Sequence, residues 1–155
     1  MQAIRFGKSW FRARKQLTES WEEAAARTAH DQRLPYVAVS TDAERIRWYV
    51  EVSNDYFGVG FFDSSLREFL SYQFQELEPE RLFLTMVTHR NFHGESDQVN
   101  NGTTYFFKPN GNVTLEEEDF TTGLLSTKEM QSDVAGNWES YPKFGDYRSL
   151  VRTER

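Results

Sequence analysis

The sequence predicts a single α+β domain in which an amino-terminal helix packs on a curved antiparallel sheet of about six to seven strands. Three observations lead to this fold. Residues 18–33 have the spacing of one helix, residues 36–132 contain segments that alternate with a period of two, and a Pro-Asn-Gly run at 109–111 marks a tight hairpin. A chain of 155 residues suffices for one buried core and is short for two. We therefore expect residues 1–155 to form one domain.

The helix is predicted from the segment TESWEEAAARTAH, which runs from Thr18 to His30. Ser20 and Glu23 have the spacing of a capping box, and Thr18 is an equally good cap. The three consecutive alanines favour helix. Because the residue before a proline avoids the helical region, the helix should end before Pro35.

The sheet is predicted from segments with strand character. RWYVEV, FGVGFF and FLSYQF place large apolar side chains at alternate positions, so one face of each strand is apolar. The run RLFLTMVTHRNF is nearly continuous in apolar residues and is predicted to be central. Asn-Gly tolerates the positive φ values of a tight hairpin, so the two strands around 109–111 should pair. The segments are residues 47–52, 57–62, 69–74, 81–92, 103–108, 112–117 and roughly 124–132.

The charge of the chain is unevenly distributed. Residues 1–17 form a basic leader with five Lys or Arg and no acid, whereas the whole chain has a net charge of −6, which leaves −11 for residues 18–155. Such an acidic body repels nucleic acid and attracts a basic partner. The leader is expected to be solvated, although contact with phosphate is the alternative.

The carboxy-terminal residues 133–155 are predicted to be an aromatic strap. Trp138, Tyr141, Phe144 and Tyr147 recur at intervals of three, while a proline and a glycine interrupt any regular helix. We expect these rings to cover an open end of the sheet. A cage for an aromatic ligand is the sharper alternative.

The most reactive-looking stretch is THRNFHGESD, residues 88–97. Its two histidines are four residues apart, which on a strand separates them by about 13 Å, so they do not converge on a metal without a chain reversal. The stretch is interpreted as the rim of the sheet followed by a recognition loop. The alternative is a pocket for a small ligand or substrate near His89 and Arg90. The candidate polar residues are His89, Arg90, His93, Glu95 and Asp97.

Acidic residues are the stronger candidates for partner binding. LEEEDF follows the predicted hairpin, so its carboxylates project alternately to the two faces. They suit pairing with Lys and Arg of a protein partner. A divalent cation site and a solvated edge strand protected by its charge are the other two interpretations. The candidate partner-binding residues are Glu116, Glu117, Glu118, Asp119, Glu76, Glu78 and Asp63.

Motifs for the common chemistries do not occur in the sequence. The chain lacks cysteine, a phosphate loop, a complete dinucleotide glycine motif and the Gly-x-Ser-x-Gly elbow. We therefore expect no catalytic residue, no cofactor and no metal site, and we expect the chain not to be an enzyme.

Three segments resemble proteins of a known class: RLFLTMVTHRNF, TTYFFKPNGNVTLEEED and GNWESYPKFGDYRSLVR. Together with the small, acidic and aromatic-rich chain, they are similar to immunity proteins of bacterial polymorphic toxin systems, including contact-dependent growth inhibition. The resemblance spans roughly residues 47–151. It transfers no individual functional residue, because immunity families differ widely in fold.

The resemblance implies a protein-binding function. Immunity proteins bind a cognate toxin domain, often a nuclease, and block its active site or substrate groove. The implied protein is cytoplasmic and bacterial, and it binds neither nucleic acid nor membrane. A ligand-binding domain or enzyme, and a scaffold for a non-toxin partner, remain as alternatives.

Overall fold

An eleven-stranded antiparallel sheet forms most of the molecule. The computed structural model describes residues 2–155, with 55% of the chain in strands and 8% in helices. The strands are β1 (Gln2–Gly7), β2 (Trp10–Phe11), β3 (Gln16–Leu17), β4 (Ser20–Trp21), β5 (Tyr36–Asp42), β6 (Arg45–Val52), β7 (Tyr56–Phe62), β8 (Glu68–Glu78), β9 (Arg81–Phe92), β10 (Val99–Phe107), β11 (Asn112–Asp119), β12 (Leu124–Gln131) and β13 (Trp138–Ser140). The helices are α1 (Glu23–Asp31) and a short 3-10 turn (Ala135–Asn137).

The strand order is β12-β11-β10-β9-β8-β7-β6-β5-β1-β4, and β2 and β3 form a separate hairpin. From β5 to β12 each strand pairs with the next one in the chain, because short turns join antiparallel neighbours. β9 is the exception in having two partners on one side. Its first residues, 81–83, pair with β13, and residues 86–92 pair with β10. The sheet therefore forks at β9.

The predicted fold class is wrong. The chain is mostly β, with eleven strands in one sheet instead of six to seven, and α1 has nine residues instead of the sixteen predicted for 18–33. Ser20 pairs in β4 with β1 and does not cap the helix, whose N-cap is Glu22 without a side-chain bond. The basic leader supplies β1 to β3. Ser20 and Trp21 pair with β1, and β1 pairs with β5. This tertiary pairing overrides the local helix preference of residues 20 and 21.

The front face of the sheet carries the main core. Alternate residues of β5 to β9 point to it, and α1 and the carboxy-terminal segment cover them. Ala26 and Ala29 of the helix are buried there. Tyr147 and Leu150 are fully buried, so the rings of the predicted strap extend the core. Phe144 stacks on Phe6 with ring centroids 5.0 Å apart.

A buried hydrogen-bonded chain fixes α1 and the carboxy-terminal segment to the sheet. The Tyr36 hydroxyl lies 2.7 Å from the Tyr147 hydroxyl and 2.8 Å from Nδ1 of His30, whose Nε2 lies 3.1 Å from the Pro142 carbonyl oxygen. The carbonyl can only accept, so Nε2 carries the proton and Nδ1 accepts from Tyr36. Burial lowers the pKa of His30, which favours this neutral imidazole.

The amino-terminal hairpin covers the back face. Trp10 stacks on Tyr49 with centroids 5.0 Å apart. Arg12 donates to the Tyr49 hydroxyl at 2.7 Å and to Glu51 at 2.7 Å, while Tyr49 donates to Glu68. Burial raises the pKa of Glu51, and that of Tyr49 is raised by burial and then by Glu68. Tyr49 and Glu68 can meet because Gly60, which has no side chain, leaves space for both of them.

We predict that acid weakens the fold through His30. Its neutral form is favoured in the folded state, so this stabilisation is complete above the unfolded pKa of 6.5 and is lost as pH falls through 6.5 towards the lower folded pKa. The free energy of unfolding, measured by urea titration between pH 7.5 and 5, should decrease more steeply for wild type than for His30→Phe. His93→Gln, which changes an exposed histidine, should retain the wild-type slope. Equal slopes for wild type and His30→Phe would contradict the prediction.

We also predict that Gly60→Ala is destabilising. A methyl group at Gly60 overlaps the ring of Tyr49 and the carboxylate of Glu68. Overpacking of this kind costs about 1–3 kcal/mol. Urea unfolding monitored by tryptophan fluorescence should show this loss. Gly136→Ala is the matched control, since a methyl group there meets open space, and its stability should stay near that of wild type.

Candidate functional site

Strands β10, β11 and β12 form one end of the sheet, called the outer end here. It lies beyond the cover supplied by α1 and the carboxy-terminal segment. Every residue of β12 except Met130 is exposed. Three large apolar side chains are also open to solvent: Phe120 is 51% exposed, Leu124 70% and Leu125 59%. Exposed apolar side chains grouped at one place are typical of interaction sites. The sequence run FTTGLL, residues 120–125, contains all three of these side chains. It was not among the sequence-predicted interaction residues.

Three unengaged carboxylates lie beside these apolar side chains. The side chains of Glu116, Glu117 and Glu118 take part in no ion pair or hydrogen bond within residues 2–155. Glu117 and Glu118 line a depression of about 490 Å³ together with Leu124 and Leu125. The β11–β12 surface is defined here as both faces of the end of this hairpin, with Glu117 and Leu124 on the front face and Glu116, Glu118, Phe120 and Leu125 on the back face.

Asp119 has a local role in the same hairpin. Its Oδ1 accepts hydrogen bonds from the Thr121 amide at 2.9 Å and the Thr121 hydroxyl at 2.6 Å. These bonds lower the pKa of Asp119. The residue therefore stabilises the turn that places β12 beside β11.

The other predicted acids are neutralised within the chain. Glu76 binds Arg33 at 2.8 Å, an interaction that lowers the pKa of Glu76. Glu78 pairs with Arg81 at 2.6 Å. Asp63 binds the Arg67 side chain at 2.9 Å and its pKa is lowered, because hydrogen bonds from Arg67 and Ser65 outweigh its burial. Asp63 and the two glutamates lie at opposite ends of β8, so these three residues do not form one surface with β11.

The predicted polar stretch is divided between the two faces of the sheet. His89 and Arg90 are neighbours on β9 and project to opposite sides. Arg90 approaches Glu68 at 3.4 Å and donates to the Ser71 hydroxyl at 3.2 Å on the back face. His89 lines a groove on the front. The two residues do not share the pocket that the ligand-binding alternative requires.

The loop after β9 is tied to the body of the molecule. Arg67 donates to the carbonyl oxygen of Gly94 at 2.8 Å, and Asp97 pairs with Lys15 at 3.3 Å. His93 starts this loop and Glu95 is exposed in it. Within residues 2–155, no group of three or more His, Asp or Glu is placed to hold a metal ion.

The front groove has a volume of about 410 Å³. Tyr105 and Phe107 form a wall, with nearly parallel rings whose centroids are 6.1 Å apart, and His89 packs edge-on against Tyr105. Arg155 lines the groove and is engaged by Glu139 at 3.0 Å; burial lowers its pKa. Flat apolar ligands suit such a wall.

None of the helices described in residues 2–155 has the length and apolar character needed to cross a membrane. Comparison of the chain with protein-family models, with curated proteins and with solved structures gave no match.

Proposed function

We propose that this chain is an immunity protein of a bacterial toxin system, active in the cytoplasm, which binds a nuclease toxin domain through the β11–β12 surface. The observation that carries the proposal is the combination of unengaged carboxylates with exposed apolar side chains on one hairpin. Glu116, Glu117 and Glu118 supply charge, and Leu124 and Leu125 supply apolar area. Elsewhere, predicted candidates such as Glu76 and Asp63 are already paired with arginine.

The two kinds of side chain have different roles in binding. Carboxylates attract a positively charged surface, which raises the association rate and excludes unsuitable partners. Buried apolar and aromatic anchors supply most of the affinity. Nuclease domains have basic substrate grooves because they bind phosphate. The β11–β12 surface would therefore occupy such a groove and exclude the nucleic acid, with no chemistry performed by this chain.

The amino-terminal segment supports this assignment by neutralising acids elsewhere. Arg12 pairs with Glu51 at 2.7 Å and Lys15 pairs with Asp97 at 3.3 Å. These cations lie on the body, whereas the four consecutive acids Glu116 to Asp119 at the outer end of the sheet have no cation partner within residues 2–155. A basic partner is directed to that end.

Reversing the three charges should abolish partner binding. We expect Glu116→Lys/Glu117→Lys/Glu118→Lys to weaken binding of the toxin domain at least about 100-fold, or about 2.7 kcal/mol, because like charges then face each other. Calorimetry at two salt concentrations measures the affinity, and co-expression with the toxin domain measures growth rescue.

The matched control is Glu19→Lys/Glu44→Lys/Glu154→Lys, which makes the same change in net charge at exposed positions elsewhere. It should retain rescue and affinity. The candidate toxin is the carboxy-terminal domain of a large protein encoded immediately upstream. Full rescue by the reversed variant, or an unrelated metabolic operon at this place, would contradict the proposal.

The front groove favours a second candidate function, the binding of a flat apolar ligand against Tyr105 and Phe107. Indole is a suitable probe. At millimolar concentration we expect it to shift the amide NMR signals of residues 132–137, and Tyr105→Ala should weaken this binding about fivefold or more. Phe106→Ala, on the opposite face of β10, is the control. Unchanged amide signals would exclude this candidate.

A further inference from the structure

The two strands at the ends of the order from β12 to β4 differ in length. β4, at one edge, has two residues and is followed directly by α1. β12, at the other edge, has eight residues and pairs only with β11 among the strands of residues 2–155. A short strand offers little template for another chain, whereas a long exposed strand offers a row of open main-chain groups.

The register identifies these open groups. The Ser132 amide donates to the Gly111 carbonyl oxygen at 2.9 Å, in line with the pairing of Gln131 with Asn112. Hydrogen-bonded and non-hydrogen-bonded pairs alternate along an antiparallel ladder, so even-numbered residues of β12 bond to β11. The odd-numbered residues direct their N–H and C=O groups to the open edge. They are Leu125, Thr127, Glu129 and Gln131.

Structural features that usually protect an edge are largely missing here. β12 contains no proline, and its pairing with β11 runs from Leu124 to Gln131 without a register shift. Lys128 is the one basic residue on the strand. A regular, exposed strand of this length is able to accept a further strand.

Charge selects the kind of strand that fits. β11 and β12 together carry five acids, namely Glu116, Glu117, Glu118, Asp119 and Glu129, and one base, Lys128, for a net charge of −4. A second copy of the chain would bring two such edges together, and like charges oppose this. A basic strand is attracted instead.

The side chains of β12 leave room for basic side chains to reach the acids. Glu117 lies opposite Ser126 on the front face, and Glu116 lies opposite Thr127 on the back face. Both β12 residues are small, so a long Lys or Arg side chain on an added strand can extend across them to a carboxylate of β11.

We propose that β12 binds an extended, Lys- or Arg-rich strand of the partner protein through main-chain hydrogen bonds and thereby adds a strand to the sheet. The inference rests on the proposed function and defines how the partner is held. Main-chain pairing and the side chains of Leu124 and Leu125 supply affinity, and the carboxylates of β11 supply selectivity.

The test uses the full chain and a nine-residue peptide of alternating lysine and valine as the probe. Amide hydrogen exchange measured by NMR should show at least about tenfold protection of Leu125, Thr127, Glu129 and Gln131 on peptide addition. The same peptide with all its amides N-methylated keeps its charge and has no main-chain donor on either edge. It should bind at least about tenfold more weakly.

Thr127→Pro is the matching variant of the chain. The Thr127 N–H points away from β11, so proline removes an edge donor without breaking the β11–β12 ladder. We expect at least about tenfold weaker peptide binding, while Thr127→Val, which keeps the N–H, stays within about twofold of wild type. The NMR signals of β11 report that the hairpin is intact, and the N-methylated peptide tests wild type independently of any variant.

Equal binding of both peptides, or of one peptide to wild type and Thr127→Pro, would overturn strand addition and leave an interaction of charge alone. A wild-type dimer in light scattering that Thr127→Pro converts to monomer would assign the edge to a second copy and also overturn the inference. Growth rescue from the toxin distinguishes failure of strand addition from failure of the proposed function. Loss of rescue in the Glu116–Glu118 reversal but not in Thr127→Pro rejects strand addition only, whereas rescue by both rejects the proposed function as well.

Discussion

Strand β9 determines how the rest of the molecule is arranged. Its twelve residues pair with β8 on one side, and on the other side residues 81–83 pair with β13 while residues 86–92 pair with β10. Through β13 the strand anchors the carboxy-terminal segment that covers the front face. Through β10 it carries the three strands that extend beyond that cover. The covered core and the exposed outer end therefore depend on the same ladder of hydrogen bonds.

The distribution of polar interactions separates the body from the outer end. In the body, most buried polar groups have partners, as in the chain from His30 through Tyr36 to Tyr147 and in the network of Arg12 with Tyr49, whereas the Ser40 hydroxyl is buried without one. An unpaired buried polar group costs free energy, so most such groups are satisfied where the fold is packed. At the outer end, Glu117 and Glu118 are exposed and Glu116 is half-buried, and no cation within residues 2–155 engages their side chains. They are available to a partner at little cost to the fold.

The acids of this chain thus differ in whether a cation within residues 2–155 engages them, and four consecutive unpaired acids, Glu116 to Asp119, lie on β11. Basic residues of the amino-terminal hairpin pair with acids of the body, and Arg33, Arg67 and Arg81 neutralise acids at the ends of β8. The net charge of −6 describes the whole chain, whereas binding depends on where charge is left uncompensated. In this fold that place is also where apolar side chains are exposed and where a long strand has an open edge.

Several elements could be predicted from local patterns because their cause is local. The alternation in β6 to β9 reflects a strand with one buried face, and Gly111 adopts the positive φ that the Pro-Asn-Gly hairpin between β10 and β11 requires. The acid run after that hairpin could also be predicted, because it depends only on consecutive residues. The helix was overestimated, since Ser20 and Trp21 pair with β1, which in turn pairs with β5.

By itself the sequence determined the strand periodicity, the hairpin at 109–111 and the presence of an acidic run, because these depend on neighbouring residues. Only the tertiary structure decided which acids are free. Glu76 and Glu116 look alike in the sequence, yet Arg33, forty-three residues away, engages the first and no cation among residues 2–155 engages the second. Likewise, FTTGLL is an ordinary turn in the sequence and becomes an exposed apolar tip because the fork at β9 carries it beyond the covered core.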